Sequence, residues 1–322
     1  MRALDRLIWG QVRELEGFGS ADILIVCNDP TGALVHAGVE SGKRVIVADT
    51  DYSRCQQAAA LGAEVVGDQR LDEYLAGLSG SCVALGEIPK SLARLDYLAR
   101  SIAGAGFTQA DVVLGANNKH LSRTMNGVLA QSFAQVHATR GKGKFRCLAA
   151  YGPQQVSYTP VEANGFVAIG GVFAGARADY GGQLLRSCLP DAPGALLDLG
   201  CGNGAVSKGL EGEVYATDAD ADAVLSARAI GIDATWDDAG SKFADASFDT
   251  VALNLPFHAG TTVDTTLVEH LLDASHRLLK PGGQLFIVFN SHLPYRAQVT
   301  KRFAQVEQVA RNSKFTVLTA RR

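Results

Sequence analysis

The sequence predicts an α/β protein built from two tandem Rossmann-like domains, each a mostly parallel sheet with helices on both faces. Apolar β-type runs alternate with helix-like segments along almost the whole chain, and this pattern restarts after about residue 160. At 322 residues the chain is also long for a single domain. We therefore expect one domain over residues 1–160 and a second over residues 161–322.

The predicted strands are short apolar runs separated by amphipathic segments. In the first half they read DILIVC, KRVIVAD, SCVALGE, DVVLGA and FRCLAA. In the second half they read ALLDLG, EVYATD, TVALN, QLFIVF and FTVLTA, with a further strand ending at TWDD. Strands that alternate with helices in this way form parallel sheets, because each crossover helix returns the chain to the same end of the sheet.

The composition describes an ordinary globular protein, with 47% hydrophobic and 20% charged residues and a net charge of −3. No apolar run is long enough for a membrane span, and the charged start is unlike a signal peptide. The six cysteines are scattered without a C-x-x-C pair, which gives no disulfide framework or zinc site. We expect a cytoplasmic monomer that needs neither a metal nor a membrane.

The two halves can be laid over each other, which predicts an internal duplication. Gly32 then falls on Gly204, Asp49 falls on Asp218, and VALGEIPK lies over VALNLPFH. The copies differ at two places, with CNDPTG against GCGNG and GEIPK against NLPFH. The first half is therefore expected to keep the fold without a working site. The alternative is a chance similarity between two generic α/β halves.

The segment LLDLGCGNG predicts a ligand site at the end of a buried strand. Gly200, Gly202 and Gly204 allow a sharp turn and a close approach of a ligand to the backbone. The G-x-G-x-G spacing differs from the dinucleotide fingerprint, and Asp198 would repel a phosphate. Asp198 suits an ammonium group, and Asp218 at the next strand end suits both hydroxyls of a ribose. Together they indicate S-adenosylmethionine, unless the glycines serve only a tight turn.

A weaker candidate follows the next predicted strand, which ends in TWDD. Trp236 could cover an adenine ring, and Asp237 or Asp238 could accept from its amino group. The alternative is a surface turn with two solvated aspartates.

The segment NLPFH predicts the site that receives the methyl group. An exocyclic base amine is a poor nucleophile because its lone pair is delocalised into the ring. Asn254 and the Leu255 carbonyl could accept its two hydrogens, while Pro256 fixes the turn and Phe257 stacks on the base. His258 could orient the base or Asn254. The alternatives are a purely structural turn and a histidine with a local hydrogen bond.

Two basic clusters could hold a nucleic acid despite the negative net charge. Lys142, Lys144 and Arg146 form the first, and Lys301 and Arg302 begin a C-terminal stretch that ends at Arg322. The alternative is ordinary solvated surface charge.

With these residues in view, nearly the whole chain resembles the tandem-domain ribosomal RNA guanine-N2 methyltransferases. The motifs are NDPTGAL, IPKSLARLDYLARSI and GANNKHLS in the first half, and VFAGARADYGGQLL, LDLGCGNG and NLPFHAG in the second. The resemblance implies an inactive first domain that binds or positions RNA, and an active second domain. It places Phe173 and Asp179 in the segment leading into the cofactor site. The last stretch, NSHLPY followed by NSKFTVLTA, is closer to the large-subunit enzymes.

The resemblance assigns the following residues. The candidate cofactor residues are Asp179, Asp198, Gly200, Gly202, Gly204, Asp218 and Asn254, with Asp237 added from the strand-end argument. Asn254, Pro256, Phe257 and His258 form the base pocket.

One departure is Leu255, since the family usually has Asn-Pro-Pro-Phe at this turn. Adenine dimethyltransferases of ribosomal RNA use Asn-Leu-Pro-aromatic, so adenine N6 stays open as the acceptor. A protein glutamine amide is a second alternative acceptor. A non-catalytic RNA-binding assembly factor is a third alternative.

Overall fold

The computed structural model of the protein describes residues 1–255 and 265–322, without the side chain of residue 265. The chain divides into two compact units. The first unit is Met1–Pro160 with Ile169–Gly171, and the second is Val161–Ala168 with Val172–Arg322. Of the helices within the described residues, none combines the length and the apolar character that a membrane span needs.

The first unit contains a seven-stranded sheet with the order β3-β2-β1-β4-β5-β7-β6. Its strands are β1 Ile23–Cys27, β2 Arg44–Val47, β3 Glu64–Val65, β4 Ser81–Glu87, β5 Gln109–Asn117, β6 Phe133–Ala138 and β7 Phe145–Pro153. Its helices are α1 Ala3–Arg13, α2 Ala33–Glu40, α3 Tyr52–Ala60, α4 Leu71–Ala76, α5 Leu92–Gly104 and α6 Arg123–Leu129. The first five strands of this order pair in parallel, and β7 is antiparallel to both β5 and β6.

The second unit contains a seven-stranded sheet with the order β12-β11-β10-β13-β14-β16-β15 and a small hairpin of β8 and β9. Its strands are β8 Val161–Ala163, β9 Phe166–Ala168, β10 Leu196–Leu199, β11 Val214–Asp218, β12 Ala234–Trp236, β13 Phe248–Asn254, β14 Leu279–Asn290, β15 Ala304–Arg311 and β16 Phe315–Arg321. Its helices are α7 Tyr180–Arg186, α8 Ala221–Ala229, α9 Thr265–Leu278 and α10 Arg296–Thr300. Strands β12, β11, β10, β13 and β14 are parallel, and β16 is antiparallel to β14 and β15.

The two main sheets have the same strand order, which confirms the predicted pair of Rossmann-like domains. In both sheets the first strand of the unit's parallel set, β1 or β10, lies at the centre and is buried at every position. Complete burial is expected of central parallel strands, because helices cover both faces of such a sheet. It also explains why these strands read as continuous apolar runs.

Several strands were absent from the sequence prediction. Strands β6 and β15 lie at the edges of their sheets, and most of their residues are exposed. Strand β3 has two residues, and β8 and β9 have three each. Short or solvent-facing strands lack the apolar signal that predicts a buried strand, because their pairing rests on backbone hydrogen bonds rather than on side-chain burial.

Candidate active site

Two polar side chains lie at the carboxyl edge of the second unit's sheet. Leu199 of β10 pairs with Thr217 of β11 and with Leu253 of β13. The next residues along these two neighbours are Asp218 and Asn254, so both flank the turn that leaves β10. This is the edge where open α/β sheets bind their ligands.

The glycine turn follows β10 and has positive φ at each of its three glycines. The φ values are 78° at Gly200, 55° at Gly202 and 83° at Gly204, a region that favours glycine. A Cβ on Gly200 or Gly202 would meet nothing within 4 Å, whereas a Cβ on Gly204 would lie 2.2 Å from Ile232 Cδ1. Gly204 therefore allows close packing, while Gly200 and Gly202 leave the backbone open to a ligand.

Asp218 is held against this turn by main-chain donors. Its Oδ2 accepts from the Gly202 N–H at 2.8 Å, and its Oδ1 accepts from the Asp220 N–H at 2.9 Å. Burial and the nearby Asp220 charge together raise the pKa of Asp218 to about 6. The carboxylate is thus fixed in place and ionised at neutral pH, with lone pairs left for hydroxyl donors.

Asp198 is a fully buried carboxyl group inside β10, with 0% exposure. Its Oδ2 accepts from the Ser207 hydroxyl at 2.5 Å, and its Oδ1 has no hydrogen-bond partner among the described residues. Burial raises the pKa of Asp198 to about 7, the Ser207 hydrogen bond opposes this rise, and the Asp218 charge adds to it. A buried acceptor without a donor is a costly feature that a cationic ligand group would relieve.

Asp198→Asn is expected to stabilise the cofactor-free protein at alkaline pH. A carboxyl group whose folded pKa is raised favours folding below its unfolded pKa of about 4, and this contribution is lost as pH rises through about 7. Removing the ionisable group should raise the free energy of unfolding at pH 8 by on the order of 2 kcal/mol, with little change at pH 4.5. Thermal unfolding of both proteins between these pH values measures the difference. If the stability of the two proteins changed equally with pH, the raised pKa assigned to Asp198 would be wrong.

Asn254 and Asp179 contact each other at the other side of the turn. Asp179 precedes α7, where its Oδ2 accepts from the Gly182 N–H at 2.9 Å and from Asn254 Nδ2 at 3.0 Å. Asn254 Oδ1 is buried and has no hydrogen-bond partner among the described residues. Phe173, earlier in the same segment, is 58% exposed. The amide therefore presents an acceptor atom whose partner is not supplied by the described part of the chain.

Comparison with known proteins identifies the family. The Methyltransferase small domain family matches residues 163–319, and the RLMG N-terminal domain family matches residues 2–154. The ribosomal RNA large subunit methyltransferase G of Pseudomonas syringae pv. tomato is 31% identical, over 99% of this chain and 92% of that protein. The chain belongs to the ribosomal RNA large subunit methyltransferase G family.

A second relative and one solved structure are also similar to this chain. The ribosomal RNA large subunit methyltransferase G of Pseudomonas aeruginosa is 34% identical, over 73% of this chain and 69% of that protein. A T. thermophilus 16S rRNA N2 methyltransferase, solved with AdoMet and guanosine, has the same fold. Its TM-score is 0.78 at 20% sequence identity, covering 100% of this chain and 92% of the other.

As a member of this family the protein is an S-adenosylmethionine-dependent methyltransferase, and its residues fit that cofactor. Asp218 offers a fixed carboxylate for ribose hydroxyls, and Asp198 offers a buried acceptor for an ammonium group. Gly200 and Gly202 leave open space above the turn. When bound, the cofactor supplies a methyl group on a positively charged sulfur.

Asp237 was expected to contact an adenine ring, but its carboxylate is buried and hydrogen-bonded within its own loop. It is 0% exposed, and its carboxylate accepts from the Thr217 hydroxyl at 2.5 Å, the Gly240 N–H at 2.8 Å and the Lys242 N–H at 3.2 Å. These contacts close the loop after β12 and leave no exposed oxygen for a ligand. Trp236 is also buried, and its indole N–H donates to the Ala219 carbonyl at 3.0 Å.

The rest of the methyltransferase signature lies partly outside the described residues. This is the case for Pro256, Phe257 and His258, so their predicted roles remain predictions. Leu255 is described. Its side chain is 1% exposed within the apolar core, and its N–H donates to the Val288 carbonyl at 3.1 Å. The leucine that departs from the family pattern is therefore a core residue.

Asn203 and Ser207 were not among the predicted site residues. Asn203 Nδ2 donates to the carbonyls of Gly175 at 2.6 Å and Arg177 at 2.7 Å, and so ties the segment before α7 to the glycine turn. Ser207 is the hydroxyl donor to Asp198. The two carbonyls lie 28 and 26 residues before Asn203, so local sequence rules gave no signal for this role. The role of Ser207 depends on the fold of the turn.

The first unit differs from this site at its own strand ends. Asp49 accepts from Arg54 Nε at 3.0 Å and from Arg54 Nη2 at 2.6 Å, so its carboxylate is occupied by an internal ion pair. Strand pairing keeps Asp49 at the position of Asp218, because the overlay that places Gly32 on Gly204 also places Val26 on Asp198, and their partners are Val47 and Ala216. The same overlay places Cys27 on Leu199. Their partners are Gly86 and Leu253, so Glu87, rather than Gly86, falls on Asn254.

Glu87, the last residue of β4, holds the position of Asn254 in this pairing. Its carboxylate is paired with the Arg2 guanidinium. Gly86, one residue earlier, has no room for a side chain, because a Cβ there would lie 1.5 Å from the Cys27 carbonyl oxygen.

The predicted basic residues differ in their availability. Lys142, Lys144 and Arg146 are exposed around the turn that joins β6 to β7. Lys301 is exposed, but Arg302 is paired with Asp273, with 2.5 Å between Arg302 Nε and Asp273 Oδ1. The first cluster is therefore the better candidate for contacts with phosphate groups.

Proposed function

We propose that the protein methylates the exocyclic N2 of a guanine in ribosomal RNA, with large-subunit RNA as the substrate. The observation that carries this proposal is the Asn254 Oδ1 acceptor, which is buried, unpartnered among the described residues and next to the cofactor residues of β10 and β11. The names of the relatives as large-subunit methyltransferases support the choice of RNA.

In this proposal Asn254 orients the amine rather than reacting with it. Its Oδ1 accepts one N–H of guanine N2, and the Leu255 carbonyl accepts the other, which turns the nitrogen lone pair towards the methyl group. Phe257 stacks on the base. Positioning and fixed dipoles then provide the acceleration, with no covalent bond between enzyme and RNA. A paired guanine must first leave its stack, at a cost of a few kcal/mol.

We propose that the first domain, residues 1–160, is non-catalytic and positions RNA for the catalytic domain, residues 161–322. The Asp49–Arg54 and Glu87–Arg2 ion pairs support the absence of a second cofactor site. We also propose that the protein is a cytoplasmic monomer. Sedimentation of the purified chain at micromolar concentration tests the oligomeric state.

The charge distribution of the first domain supports its RNA-binding role. Residues 112–161 contain no aspartate or glutamate, yet they carry six lysines and arginines in a chain whose net charge is −3. The six residues are Lys119, Arg123, Arg140, Lys142, Lys144 and Arg146. They lie between the middle of β5 and the end of β7. Positive charge without competing carboxylates attracts phosphate groups and releases counterions on binding.

Replacing Lys142 and Lys144 together with glutamine is expected to weaken RNA binding by about tenfold at moderate salt, because each lysine neutralises about one phosphate. The slope of log affinity against log salt should fall by about two. Fluorescence anisotropy with a labelled ribosomal RNA fragment measures both quantities. Arg13→Gln is the control, because Arg13 is exposed in the same domain but outside the basic segment. Equal losses in the two proteins would remove the basic segment from the interface.

The decisive test of the proposed function follows labelled methyl transfer to unmodified ribosomal RNA, as free RNA and in subunits. Nucleoside mass spectrometry identifies the product. N2-methylguanosine in large-subunit RNA is the expected result. N6-methyladenosine would mean that the enzyme with Leu255 acts on adenine rather than guanine. A product in small-subunit RNA would mean that the small subunit is the substrate. A cofactor-binding protein with no RNA product would redirect the search to protein glutamine amides or small amines.

A further inference from the structure

We infer that Asp179 is a positioning residue that fixes which end of the Asn254 amide faces the substrate. This inference rests on the proposed function, since it concerns how the acceptor amine is held. Asp179 was expected to help hold the cofactor. Its described contacts are with the Gly182 N–H and with Asn254 Nδ2.

The orientation of the amide follows from the chemistry of the pair. An ionised carboxylate only accepts hydrogen bonds, so the amide atom 3.0 Å from Asp179 Oδ2 must be the Asn254 nitrogen. The amide oxygen then points away from Asp179. This atom, Asn254 Oδ1, is the buried one without a partner among the described residues. A nearby carboxylate thus resolves the usual ambiguity between the two ends of an asparagine side chain.

Asp179 is itself held in place by the helix that it precedes. Its backbone is extended, with φ −69° and ψ 137°, and its Oδ2 caps α7 through the Gly182 N–H at 2.9 Å. The same oxygen therefore anchors to the helix and receives the Asn254 amide. The start of α7 therefore fixes the direction in which Asn254 Oδ1 points. An oxygen at this place favours an amine as the substrate group, because an N–H of the amine can donate to an oxygen but not to another NH₂ group.

Asp179→Ser separates this role from helix capping. Serine is as good a helix cap as aspartate, so α7 should form normally. A hydroxyl can donate as well as accept, so it no longer fixes which end of the Asn254 amide it meets, and Asn254 can then turn its NH₂ group towards the substrate. We expect kcat for methyl transfer to fall by about 10- to 100-fold. The dissociation constant of S-adenosylmethionine and the thermal midpoint should change little.

The matched control is Asp51→Ser in the first unit. Asp51 caps α3 by accepting from the N–H three residues later, that of Arg54, at 2.9 Å, which is the same arrangement as in Asp179 and Gly182. Asp51 has no described contact with Asn254. Its substitution should leave kcat within about twofold of wild type. A similar loss of kcat in both variants would mean that capping explains the effect, and the inference would be wrong.

Asp179→Asn is the conservative counterpart of Asp179→Ser. The oxygen of an asparagine can accept from the Gly182 N–H and from Asn254 Nδ2 as Asp179 Oδ2 does, and its NH₂ group then takes the place of Oδ1. We expect Asp179→Asn to retain at least about tenfold more kcat than Asp179→Ser.

The outcomes distinguish this inference from the proposed function. If the wild-type protein forms no N2-methylguanosine, the proposed function fails before Asp179 is tested. If wild type is active and Asp179→Ser has the same kcat, or Asp179→Asn loses as much as Asp179→Ser, Asp179 does not set the direction of Asn254. Loss of cofactor affinity in Asp179→Ser would return Asp179 to the cofactor site.

Discussion

Asn254→Ala is expected to lower kcat for methyl transfer by about 100- to 1,000-fold, because removal of one preorganised hydrogen-bonding group has an effect of this size in other enzymes. The affinity for S-adenosylmethionine should be nearly unchanged. The reason is that Asn254 Oδ1 has no partner among the described residues and is proposed to meet the substrate amine. Single-turnover transfer of labelled methyl groups and calorimetric titration of the cofactor measure the two effects separately.

Gln298→Ala is the control for this substitution. Gln298 belongs to the same unit and also has a buried side-chain oxygen without a hydrogen-bond partner among the described residues. Its loss removes an amide of the same kind without touching the strand ends, so transfer should continue. If Asn254→Ala instead unfolds the protein or abolishes cofactor binding, Asn254 has a structural role.

Asp218→Ala is expected to weaken S-adenosylmethionine binding by about 10- to 100-fold, because two ribose hydroxyls would lose a fixed acceptor. The Gly202 and Asp220 N–H groups would also lose their partner, which loosens the glycine turn. Calorimetric titration measures the change. Asp49→Ala is the matched control, since Asp49 lies at a strand end of the first unit but is paired with Arg54. Its substitution should leave cofactor affinity unchanged.

The wild-type protein adds a pH readout to this prediction. Burial raises the pKa of Asp218 to about 6, so protonation below that value removes the charge that accepts the hydroxyls. Cofactor affinity should therefore fall as pH drops from 7 to 5. An equal pH dependence in Asp218→Ala would show that another group is responsible.

The sequence allowed the central strands and the main site residues to be predicted, because both follow from local rules. A buried parallel strand reads as an apolar run, and its carboxyl end faces the ligand side, so Asp198, Asp218 and Asn254 could be grouped from their positions along the chain. Edge strands such as β6 and β15 escaped prediction because exposed positions carry no apolar pattern.

The residues that were placed differently depend on contacts between distant parts of the chain. Asp179 is 75 residues away from Asn254, and the link between them exists only after α7 packs beside β13. Asp237 follows a predicted strand in a typical position for a ligand contact, but the loop folds back and occupies its carboxylate. The end of a strand predicts where a side chain leaves the sheet, but the fold of the following loop determines which groups that side chain contacts.

The close contact at Gly86 has a consequence for the history and engineering of the duplicated fold. Gly86 itself accepts no side chain, and the two polar strand ends beside it are held by arginines, since Glu87 is paired with Arg2 and Asp49 with Arg54. Placing an amide at Glu87 would remove the charge that faces Arg2, and freeing Asp49 for a hydroxyl donor would require the removal of Arg54. Restoring a working site to the first domain would therefore require coordinated substitutions at both strand ends. A symmetric enzyme is more directly built by copying the second half than by repairing the first.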